Sequence, residues 1–209
     1  MTIDVLAIFA HPDDTELTVA GTLLKMKSLG CRTGALDVTQ GEMGTRGTVE
    51  GRAQEAIEAA KIMQLDLREN LGLLDGHVFA DDESRTKLVR VLRRLKPRLI
   101  LTHQDGDPHP DHNHIVQLVR ESARLASMYK YDEANSGHER IPVPAVAHNV
   151  FSRRVVPTFI VDISDHLEGK MNAIRAHASQ FYNPGSDEPE TRLTSETFLH
   201  EIENRARYF

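Results

Sequence analysis

Apolar residues fill Ile3 to Ala10 almost without a break, a run of strand length that suits a parallel strand buried on both faces. Leu17 to Leu29 changes period: Leu17, Ala20, Gly21 and Leu24 fall on one helical face, and Gly30 supplies a stop. Cys31 to Thr39 predicts a second strand, and Gly51 to Met63 a second helix with Ala53, Ile57 and Ala60 turned inward. A short apolar segment at Leu71 to Leu74 predicts a third strand. It is followed by a helix over Ser84 to Lys96, striped by Leu88, Val91, Leu92 and Leu95 and ended by Pro97. Arg98 to Thr102 predicts a fourth strand, and a helix from Pro110 or Asp111 buries Ile115, Val119, Ser122 and Ala126. Further strands are expected at Ala145 to Phe151 and Thr158 to Ile163, with helices over Asp165 to Ala178 and Ser195 to Ala206. Residues 129–144 and 183–190 read as loops. This alternation implies right-handed crossovers and a Rossmann-like α/β fold, a parallel sheet between two helix layers, forming one domain over residues 1–209.

The remaining composition narrows the classes. A formal net charge of −6 with Lys and Arg dispersed along the chain gives no footprint for nucleic acid. No apolar run approaches the length of a membrane span, and Asp4 with the missing basic flank argues against a signal peptide; a cytoplasmic location is expected. The single cysteine, Cys31, has no internal disulfide partner and reads as a small core residue at a strand start.

Two segments carry the chemistry. Ala10-His11-Pro12-Asp13-Asp14-Thr15-Glu16 leaves the first strand, and His109-Pro110-Asp111-His112 follows the fourth. In the strand order 3-2-1-4-5 the first and fourth strands are neighbours at the point where the winding reverses, and ligands gather beyond their carboxyl ends. The topology therefore brings the two segments together. Hydrolytic zinc needs three protein ligands and an open position for water, whose pKa falls from ~15.7 to ~7 on binding. His11, Asp14 and His112 fill that requirement. Asp13 and Asp14 point in different directions where strand becomes helix, so one serves as ligand and the other as base. Asp13 is expected to take a proton from the water and return it to the leaving amine. His109 lies on the same helical face as His112 and reaches toward substrate, and Asp111 is expected to orient it and favour its protonated form as an oxyanion donor. Taken singly, HPDD also suits a plain helix start and HPDH a polar turn; their meeting at one switch point argues for the site. His103 ends the fourth strand and could stand behind the ligands.

Thr39 to Thr48, TQGEMGTRGT, borders the same crevice with three glycines, yet it matches neither GxGxxG nor a Walker loop, so a nucleotide partner is not supported. Glu42 and Arg46 on this segment are substrate-side candidates. Arg52 opens the following helix; it either clamps an acidic substrate group or pairs at the surface with Glu55 or Glu58.

The HPDD and HPDH motifs, TQGEMGTRGT followed by GRAQEA, Phe159-Ile160-Val161-Asp162 and Ser179-Gln180-Phe181-Tyr182 together resemble the PIG-L/LmbE-like zinc deacetylases, and the likeness runs along essentially the whole chain. The resemblance implies a cytoplasmic N-deacetylase with His11, Asp14 and His112 on Zn2+ (Fe2+ being an alternative in the cell), Asp13 as base and His109 at the tetrahedral intermediate. Within the family it points to the bacillithiol-pathway branch acting on N-acetylglucosaminyl-malate, with Arg52 on the acidic aglycone. General N-acetylglucosamine or chito-oligosaccharide deacetylases and thiol-conjugate amidases are the alternatives. Pro108 departs from the arginine that often precedes HPDH in that branch. The resemblance also implies a homo-oligomer, commonly a hexamer; from the charge and the apolar runs no nucleic-acid or membrane partner is expected. A metal-loaded sugar-binding protein without turnover would need the ligands but no base, so Asp13 beside Asp14 argues against it.

Overall fold

The computed structural model describes residues 2–132, 137–150 and 155–208. Five parallel strands, β1 (Val5–Phe9), β2 (Thr33–Thr39), β3 (Leu67–Leu73), β4 (Leu99–Thr102) and β5 (Ala145–His148), lie in the order β3-β2-β1-β4-β5. The expected reversal is therefore present, with β1 between β2 and β4: Ile8 is opposite Leu36 on one side and Thr102 on the other.

Successive side chains of β1 serve opposite faces, as a strand with its period of two must. Leu6, Ile8 and Ala10 join a cluster with Leu88, Leu92, Ile115 and Val119 from α3 (Asp82–Leu95) and α4 (Pro110–Leu125). Val5, Ala7 and Phe9 pack with Val19 and Leu23 of α1 (Asp14–Ser28). α5 (Leu167–Arg175) lies against α1 and against α2 (Val49–Ile62) on that same side. α6 (Phe198–Tyr208) closes the layer through Phe198 and Ile202, which pack with Leu17, Met171, Ile174 and Phe181. Among the described residues no helix is long and apolar enough to cross a membrane.

Four expectations need correction. β3 begins at Leu67, not Leu71, because its Arg68, Glu69 and Asn70 are polar and engaged in side-chain bonds that hide the strand from a hydrophobicity reading. Thr158 to Ile163 forms no strand; Phe159 and Ile160 are exposed, while Asp162 offers its carbonyl to Lys25 Nζ at 2.5 Å. α2 buries Arg52, Ala56 and Ala59, one residue out of phase with the expected face, and Ile57 is 49% exposed. An arginine on the inward face misled the apolar count. Cys31 is half-buried before β2, not a core residue. The Phe151 end of the expected fifth strand lies outside the described residues.

Candidate metal and catalytic site

β1 ends at Phe9, and the chain turns at once into α1, so residues 10–14 pass over the carboxyl edge of the sheet. The turn is locked to both neighbouring strands: Thr39 N donates to Ala10 O at 2.9 Å, and Ala10 N donates to His103 Nε2 at 3.1 Å. α4 starts beside it with His109 as N-cap and Pro110 in its first turn, where a missing N–H is not felt.

The two motifs meet. Asp14 Oδ2 lies 3.2 Å from His11 Nδ1 and 3.3 Å from His112 Nε2, and it also accepts His11 N at 2.9 Å. One donor atom from each of His11, Asp14 and His112 lies within 4.8 Å of the others, a grouping that fits a divalent cation with nitrogen and oxygen ligands. His11, His109 and Asp111 form a second such grouping on the other side of the His11 ring. The electrostatics agree. Burial disfavours a charged His11, yet Asp111, Asp14 and Asp75 outweigh it and push its pKa up to about 12. The carboxylates thus favour positive charge at this point, which a divalent cation supplies.

Each candidate histidine ligand has a carboxylate behind it, and His112 an aromatic ring as well. Asp75 Oδ1 accepts from His11 Nε2 at 3.0 Å, Asp107 Oδ1 stands 3.1 Å from His112 Nδ1, and the His103 ring stacks on His112 at 3.9 Å. This is the arrangement that fixes ring orientation and tautomer in metal-binding histidines. Asp75 and Asp107 escaped the sequence reading because both lie in loops outside the two motifs. Their signal was position: each follows a strand of the sheet at its carboxyl edge.

Asp13 is 5% exposed and faces Arg52, with Nη2 to Oδ2 at 3.7 Å. Burial, then the neighbouring Asp14 charge, raise its pKa to about 6, against the pull of Arg52, His177 and His11. A carboxylate near that value is suited to accept and return a proton close to neutrality.

His109 precedes α4 as its N-cap, with its ring 4.8 Å from that of His11 and 4.7 Å from that of His112. Its relation to Asp111 differs from the expected one. Asp111 N donates to His109 Nδ1 at 3.3 Å, while the Asp111 carboxylate accepts Gly76 N at 2.7 Å and Val78 N at 3.3 Å. Asp111 therefore sets the His109 tautomer through its backbone, leaving Nε2 to carry the proton, and its carboxylate braces the loop after β3. Nor is His109 held protonated: burial lowers its pKa, helped by His11 and His112.

The substrate-side candidates are also rearranged. Arg52 is 4% exposed and donates to Gly41 O at 2.9 Å and Pro12 O at 3.1 Å, so it is not a surface partner of Glu55 or Glu58. Arg46 is buried against the 181–188 loop, with Nη2 donating to Glu188 O at 3.0 Å and Ser186 Oγ at 3.3 Å. Glu42 is exposed and accepts Asp75 N at 2.9 Å and Gln40 N at 3.2 Å, tying the glycine-rich turn to the loop bearing Asp75.

With this geometry in place, the comparisons bear on the same residues. The family model for PIG-L, GlcNAc-PI de-N-acetylase, matches residues 6–123, which include both motifs. A diacetylchitobiose deacetylase of Thermococcus kodakarensis is 32% identical over 85% of this chain and 70% of its own length. A probable N-acetyl-alpha-D-glucosaminyl L-malate deacetylase 2 of Bacillus subtilis is 30% identical over 84% and 82%. The crystal structure of the conserved protein TT1542 from Thermus thermophilus superposes with a TM-score of 0.88 at 34% identity, covering 99% of this chain and 88% of that one. The chain belongs to the PIG-L family of de-N-acetylases.

Proposed function

We propose that the protein is a metal-dependent hydrolase that removes the N-acetyl group from an N-acetylglucosamine-containing small molecule. The observation that carries this reading is the convergence of His11 Nδ1 and His112 Nε2 on Asp14 Oδ2, at 3.2 and 3.3 Å, beside a buried Asp13. His11, Asp14 and His112 would hold the cation, zinc in the first instance, and it would supply a Lewis acid and lower the pKa of water there. Asp13 takes a proton from the attacking water as its oxygen bonds to the amide carbonyl carbon. His109 donates from Nε2 to the oxyanion that forms. Asp13 then delivers the proton to the amide nitrogen as the C–N bond breaks, leaving acetate and the free amino sugar.

Arg52 and Arg46, the cations expected to meet an acidic aglycone, both already donate to backbone carbonyls. A neutral amino sugar of the diacetylchitobiose type is therefore the favoured substrate class. Acetate release from N,N'-diacetylchitobiose and from N-acetylglucosaminyl-malate, measured with and without chelation, tests both parts. Chelator-sensitive turnover with preference for the neutral sugar is expected. Turnover indifferent to chelation would overturn the metal, and preference for the malate conjugate would overturn the substrate class.

A further inference from the structure

Residues 103–109 connect β4 to α4 and bring His109 beside the His11 ring, yet the proline on either side of His109 has no N–H with which to anchor this stretch. Its shape comes from one side chain on the first turn of α4. Asn113 Oδ1 accepts Gly106 N at 2.9 Å and Asp107 N at 3.0 Å, while Asn113 Nδ2 donates to Asp107 O at 2.5 Å and His109 O at 3.1 Å. A carboxamide offers two acceptor and two donor positions, and here each is spent on the backbone of residues 106–109. The partners also fix its orientation, since two N–H groups meet the oxygen and two carbonyls meet the nitrogen.

The hold reaches His109 from both sides. Its carbonyl is bound by Asn113 directly. Its N–H donates to Asp107 Oδ1 at 2.9 Å, and Asp107 is itself held by Asn113 through both its N–H and its carbonyl. Every N–H of residues 106–110 is thereby satisfied, those of Gly106 and Asp107 by Asn113 and that of His109 by Asp107. A following proline keeps Asp107 and His109 out of the helical region, and His109 has φ −81° and ψ 125°. Gly106 has φ +79°, a conformation open to glycine, at the point where two successive amides meet one oxygen.

We propose that Asn113 is the positioning residue of His109, fixing the backbone from which the oxyanion donor reaches the site. This rests on the assignment of His109 as that donor. With its donors and acceptors all engaged by the turn, Asn113 has none left for substrate, so its effect passes through His109. Its loss leaves His112 held within α4 but frees the turn that carries His109, and misplacement of a catalytic group on the order of 1 Å costs about 100-fold in rate. The expected signature lies in kcat rather than KM, because the interaction that weakens is one made in the transition state.

The test is a double-mutant cycle at saturating zinc on whichever of N,N'-diacetylchitobiose and N-acetylglucosaminyl-malate the wild type turns over faster. It compares wild type, Asn113→Ala, His109→Ala and the double variant, with zinc content and folded fraction measured on each sample. Asn113→Ala should lower kcat by about 10–100-fold, with KM within about twofold and zinc content unchanged. In the His109→Ala background the same change should cost less than about twofold, because the group it positions is already gone. Asn113→Asp keeps the size and the acceptors but has no donor for Asp107 O and His109 O, and a loss of the same order is expected. Losses that multiply in the double variant, losses that only follow the folded fraction or the zinc content, or an unchanged kcat in both Asn113 variants would overturn the proposal. The His109→Ala arm separates the two claims. Wild-type kcat there removes the oxyanion assignment and the positioning role with it; a loss there with unaffected Asn113 variants removes the positioning role alone.

Discussion

His11 Nε2 and Asp75 Oδ1 stand 3.0 Å apart across 64 residues of sequence. The second Asp75 oxygen accepts Met43 N at 2.9 Å, so one carboxylate joins a candidate ligand to the glycine-rich turn. Burial opposes its ionisation, but His11 and the Met43 N–H hold its pKa down at about 2. A permanently charged acceptor at this spot keeps a proton on His11 Nε2 and turns Nδ1 toward Asp14 and His112.

Asp75→Asn should therefore weaken zinc binding by about 10–100-fold, the usual cost of losing such a partner. Competition against a chromogenic chelator reads this directly. An unchanged zinc affinity would reduce Asp75 to a loop brace.

His109→Ala tests the oxyanion role independently of the metal. Removing one donor of this kind lowers kcat by about 10²–10³, and zinc content should stay at the wild-type level. Turnover near wild type at zinc saturation would remove His109 from the chemistry.

Beneath α1 lies a buried charged cluster in which Arg68 binds Glu16 Oε1 at 2.5 Å and reaches Asp37 with two nitrogens at 2.9 and 3.1 Å. Arg68→Met would strand two carboxylates that are essentially without solvent access. A destabilisation of about 3–5 kcal/mol is expected in urea unfolding. A change below about 1 kcal/mol would mean that water or a rearrangement rescues the pair.

The same cluster sets an acid limit. Burial opposes ionisation of Glu16, yet Arg68 and His177 lower its pKa from 4.5 to about 2. The folded value is depressed, so its stabilisation is complete above pH 4.5 and is lost as pH falls toward 2. The total is about 3 kcal/mol. Unfolding free energies of wild type and Glu16→Gln, followed from about pH 6 down to about pH 3, should converge toward the lower end, and a gap that does not close would refute the linkage.

The strand order and the meeting of the two histidine motifs were legible because both depend on strong local signals. Buried parallel strands leave apolar runs such as Val5–Phe9, and crossover chirality then dictates which ends are neighbours. Arg52 stayed undecided for the opposite reason. An arginine on a helix presents the same pattern whether its guanidinium meets solvent or backbone carbonyls, and only the fold of the Gly41 turn decides. β3 failed similarly: Arg68 and Glu69 look like loop residues until their partners on α1, β2 and α3 are in place. Asp75 and Asp107 belong to no motif, because their roles consist of distance to a histidine, and only their place beyond a strand's carboxyl edge marked them.

The placement of β1 between β2 and β4 also has a temporal meaning. His11 and Asp14 are synthesised well before His112, which follows β4, and the pairing of β4 with β1 closes a loop of more than ninety residues. Such closure is slow relative to hairpin or helix formation. A nascent chain that has completed β1, α1 and β2 therefore holds half a coordination sphere. A cation held by all three residues would be captured only once β4 seats against β1, where binding energy adds to folding energy. Refolding in the presence of zinc should consequently differ from refolding in chelator at the step that seats β4 against β1.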